Sequence, residues 1–101
     1  MLALHPDRDV VIGVDTHNDT HTAAAVRATG AVLEHLTVAA DAAGYRQLIG
    51  FGRRHDATLW AIEGTGSFGA GLTTALLACC ERIVEVDRPQ RGSTNLSGAP
   101  D

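Results

Sequence analysis

Apolar residues fall along the chain in short runs separated by polar turns, and these runs predict five strands and two helices. Residues 10–15, Val10-Val11-Ile12-Gly13-Val14-Asp15, form a branched apolar run without polar alternation. That pattern reads as a strand buried on both faces. The tract 16–21 is rich in Thr, Asn, Asp and His, which favour turns. A second strand is expected over 22–27, a hairpin turn at Thr29-Gly30, and a third strand over 32–38 with Glu34 and His35 partly toward solvent. The first third of the chain therefore reads as an antiparallel meander.

Asp41 has the character of a helix N-cap, and Tyr45, Leu48 and Ile49 follow at helical spacing. Arg53-Arg54-His55 suits a helix C-terminus. Gly44, Gly50 and Gly52 lower the intrinsic propensity of this helix, so packing has to hold it. Residues 58–63 predict a fourth strand ending in Glu63, residues 64–71 a glycine-rich turn, residues 72–80 an apolar helix and residues 83–87 a fifth strand. The order β-β-β-α-β-α-β is that of an α/β domain with a mixed five-stranded sheet. A right-handed crossover through the first helix returns the fourth strand parallel to the first. Asp15 and Glu63 both end their strands, so this topology sets them side by side at one edge of the sheet.

At 101 residues the chain is long enough for one domain with a modest core. With 45% hydrophobic and 20% charged residues it is globular. No apolar run approaches the roughly 20 residues of a membrane helix. The start of the chain lacks the pattern of a signal peptide, since an acid and a proline interrupt it early. Cys79 and Cys80 are neighbours, which disfavours a mutual disulfide and fits a reducing, cytoplasmic setting. A net charge of −4 argues against a stand-alone nucleic-acid binder. Residues 1–9 read as a polar lead-in, 10–91 as the domain and 92–101 as a disordered tail.

Three groups of residues are candidates for chemistry. Two ionised carboxylates held close repel unless a cation bridges them, and Asp15 and Glu63 would suit magnesium or manganese, which take oxygen ligands. Paired metals in phosphodiester chemistry generally call for three or four carboxylates, of which two stand at convincing places here. Asp15 could instead simply cap its turn. His17, Asp19 and His21 could compose a zinc site, the plainer alternative being solvated turn residues. Gly64-Thr65-Gly66-Ser67-Phe68-Gly69 matches G-x-G-x-x-G between a strand and a helix, with Asp87 at the end of the next strand. Against a nucleotide-binding α/β domain stand the charge of Glu63 before the first glycine, the meander that leads in, and the little chain that follows.

Three blocks carry a family resemblance: Gly13 to Ala24 (GVDTHNDTHTAA), Trp60 to Gly69 (WAIEGTGSFG) and Val84 to Pro89 (VEVDRP). Together, and in this order, they resemble the N-terminal RuvC-like DEDD domain of bacterial insertion-sequence transposases guided by a bridge RNA. The resemblance runs from about Val10 to Arg91. It implies a ribonuclease H-like fold, DNA transposition by metal-dependent strand cleavage and recombination, DNA and a guide RNA as partners, and Mg2+ or Mn2+ as cofactor. It places the first two catalytic, metal-binding acids at Asp15 and Glu63. In that family a basic stretch and a helix with two more aspartates follow the Arg-Pro motif. Here the chain reads Gly92-Ser93-Thr94-Asn95-Leu96-Ser97-Gly98-Ala99-Pro100-Asp101. The expectation is a truncated domain without its final helix, inactive alone, with metal held weakly. A sheet face left partly bare would suit a protein- or RNA-interaction module, self-associating or docking on full-length transposase.

Overall fold

The computed structural model of the chain describes residues 4–5 and 8–86. Its elements run β1 (Val10–Thr16), β2 (Thr20–Arg27), β3 (Val32–Ala39), α1 (Ala42–Arg54), β4 (Leu59–Glu63), α2 (Ala70–Ala78) and β5 (Ile83–Val86). The five strands form one sheet in the order β3-β2-β1-β4-β5. The pairs β1–β2 and β2–β3 are antiparallel, and β1–β4 and β4–β5 are parallel. This is the expected order of elements and the expected neighbour for β1. Asp87, assigned to the last strand from sequence, and the expected tail over 92–101 lie outside the described residues.

Alternation along the strands divides the sheet into two unlike faces. Val10, Ile12, Val14, Ala23, Ala25, Val38, Trp60 and Ile62 point to one face, where they pack with Leu48 and Phe51 of α1 and with Leu72 and Leu76 of α2. Both helices therefore cover the same side. The other side carries Gly13, Ala24, Ala61, Val84 and Val86, and the last two are 43% and 41% exposed. The sequence reading of β1 as buried on both faces is corrected here. Val10, Ile12, Val14 and Thr16 are buried, whereas Val11 and Gly13 are half-buried and Asp15 is exposed.

Packing explains why α1 tolerates its glycines. Asp41 caps the helix by accepting from the Gly44 N–H at 2.8 Å. A Cβ on Gly44 would collide with the Ala39 carbonyl, and one on Gly52 with the Trp60 ring. These two positions let the helix lie close to the sheet, while Gly50 faces open space. At the other end, Glu34 on β3 accepts from Arg54 at 3.1 Å and meets His55 Nε2 at 2.7 Å, tying the strand to the end of α1. Glu34 thus turns to the helix side, and His35 beside it is the residue that faces outward.

Candidate functional site

The register of β1 against β4 pairs Gly13 with Ala61 and Val14 with Ile62. One step further along both strands stand Asp15 and Glu63, level with each other and on the same open face. Neighbouring strands lie about 4.8 Å apart. The two carboxylates therefore rise from adjacent backbones at the rim of one cavity of about 350 Å³. Gly13, Ala24 and Ala61 form its floor, and Thr22, His35 and Val86 also line it. The floor is flat because none of those three residues carries more than a methyl group.

Each acid is held by its surroundings. Asp15 Oδ2 lies 3.1 Å from His17 Nε2, an exposed contact between residues on the same side of the strand end. Glu63 is partly buried. Its carbonyl accepts from the hydroxyl of Thr16 at 2.9 Å. The β1–β2 hairpin closes tightly after these residues, with the His17 N–H donating to the Thr20 carbonyl at 3.0 Å.

His17, Asp19 and His21 are not arranged as a metal-holding group. His21 belongs to β2, which begins at Thr20, two residues earlier than expected, and its side chain is fully buried. It pairs in register with Thr16 and stacks on Tyr45 of α1 at 6.0 Å between ring centroids. Burial pushes its pKa down, against the opposing pull of the Thr20 carbonyl. His21 is thus neither a zinc ligand nor a solvated turn residue. Among the described residues no group of three or more His, Cys, Asp or Glu side chains is arranged to hold a metal ion.

Two amides of the Gly64–Gly69 turn are spent internally. The Ser67 and Gly69 N–H groups both donate to the Gly64 carbonyl, at 2.9 and 2.8 Å. Gly64 itself has φ +63, a left-handed conformation that suits glycine. A Cβ on Gly69 would press on the carbonyls of Glu63 and Gly64. The glycines here make a compact bend that starts α2 directly behind Glu63. Amides engaged in this way are not presented to a pyrophosphate in the manner of a dinucleotide-binding loop.

The sequence matches the family model DEDD_Tnp_IS110, described as Transposase, over residues 12–90. The chain belongs to the IS110 family of DEDD transposases. No curated protein matches it. The matched span contains both Asp15 and Glu63, and the mixed sheet with its antiparallel β1–β2–β3 meander and parallel β4 and β5 is the ribonuclease H-like arrangement expected of an IS110 N-terminal RuvC-like domain. No helix among the described residues of this transposase domain is long and apolar enough to cross a membrane. Sequence reasoning overlooked Thr16 and His35. Strand alternation was the available signal: a polar residue directly after Asp15 must face the core, and His35 must face opposite to the helix-tied Glu34.

Proposed function

We propose that Asp15 and Glu63 are the first two acids of a divalent-metal site used for DNA strand cleavage in transposition. The observation that carries this reading is the parallel β1–β4 register, which brings two strand-end carboxylates to one rim on one face. The donor set fits the ion: two hard oxygen ligands on adjacent strands, Asp15 exposed and Glu63 partly buried with its Oε1 shielded from solvent. Magnesium or manganese in such a site supplies charge neutralisation and activation of the attacking oxygen in phosphodiester cleavage. Asp15 and Glu63 would hold the ion, and His17 would orient Asp15 through their hydrogen bond. Target DNA and a guide RNA are the partners this reading implies. On this reading two acids of a four-acid set lie among the described residues, and strand cleavage requires the remaining acids as well.

The test is a Mn2+ titration of the full chain followed by paramagnetic broadening in NMR spectra. Amides of residues 13–16 and 61–64 should broaden first, and Asp15→Asn or Glu63→Gln should abolish the effect. Broadening that survives both substitutions removes these acids from any metal site. A second reading, a docking module for another transposase chain, draws on one separate observation. Both helices cover the same face, and Val84 and Val86 on the other are exposed.

A further inference from the structure

Thr16 is fully buried at the end of β1, on the helix side and opposite to Asp15. A buried hydroxyl is costly unless it is hydrogen-bonded, and valine would fill the same space without that need. This hydroxyl donates to the Glu63 carbonyl at 2.9 Å, joining residues 47 apart in sequence. The paired positions of β1 and β4 end at Val14 and Ile62, one residue short of the two acids. The Thr16 bond lies beyond that last pair and ties the end of β1 directly to the end of β4. It also sits against the left-handed bend at Gly64, where an added Cβ would approach Thr16 Oγ1 to 3.2 Å.

We propose that Thr16 is a positioning residue for the acid pair, fixing the separation of Asp15 and Glu63 by clamping the ends of their strands from the opposite face. This inference rests on the metal-site reading of the two acids. Groups that hold metal ligands in place typically cost about tenfold or more in metal affinity when removed. Thr16→Val keeps the shape and loses the donor, so it should weaken Mn2+ binding by about tenfold. Thr16→Ser restores the donor and should bring affinity back to near the wild-type value. Val10→Ala, also buried on the helix side of β1 but at its far end, is the control: it should lower the melting temperature and leave Mn2+ affinity unchanged.

The experiment is the Mn2+ broadening titration on the full chain, with a thermal melt recorded for each variant. If Thr16→Val does not fold, Thr16→Cys takes its place, because a thiol is only a weak donor. Wild-type affinity in Thr16→Val, with or without a lowered melting temperature, overturns the positioning role and leaves the metal site standing. Weakened affinity in Thr16→Val that Thr16→Ser fails to recover overturns it as well. A wild-type chain that shows no broadening overturns the metal reading itself, and this inference with it.

Discussion

At the scale of single residues, His21 and Glu34 each make stability depend on acid. Burial holds the His21 pKa below the ordinary 6.5, so the neutral ring is the folded form. Its contribution to stability is complete above pH 6.5. It is lost as pH falls below that value, because the unfolded chain takes up the proton first. Glu34 is held below its ordinary 4.5 chiefly by the His55 hydrogen bond and then by Arg54. Its contribution is present above pH 4.5 and disappears as pH drops through the folded value. Both losses run in the same direction, in successive windows. Acid unfolding followed by circular dichroism should therefore begin to lose stability just below pH 6.5. His21→Leu should remove that first decline, and Glu34→Gln should flatten the part below 4.5. An unchanged acid limb in His21→Leu would contradict this assignment. The burial of His21 was hidden in the sequence because its cause is distant: Tyr45 arrives from a helix 24 positions away, while the local Thr-Asn-Asp-His composition suggests only a turn.

At the scale of elements, α1 shows how packing overrides propensity. Its three glycines look alike in sequence and differ in space. Gly50→Ala should stabilise the domain by about 0.5–1 kcal/mol, since the new methyl group meets nothing and the helix gains propensity. Gly52→Ala should destabilise it, because a Cβ there drives into the Trp60 ring. Urea denaturation of the two variants checks both signs, and equal shifts would refute the packing explanation. Asp41 was legible from sequence because capping is local. So were the strand–helix order and the neighbouring of β1 and β4, which follow from hydrophobic runs and from the handedness of the crossover. The requirements at Gly44 and Gly52 were not, since each depends on an atom contributed by another element.

At the scale of the whole molecule, the two helices among the described residues shield the sheet on the same side. If its other face docks a second transposase chain, sedimentation velocity should show mass-action dimerisation as concentration rises. Val84→Lys, which places a charge on an exposed apolar position, should then abolish the dimer. A chain that stays monomeric at every concentration removes the docking reading and leaves the metal reading untouched. The parallel register of β1 with β4 has a consequence for length variation. A strand alternates every residue, so one extra residue between Leu59 and Glu63 would swing the second acid through the sheet to the helix side. An extra residue in the Ala28–Ala31 hairpin loop would leave both acids where they are. Related chains that keep this rim should therefore differ freely in hairpin length and hardly at all in the spacing within these two strands.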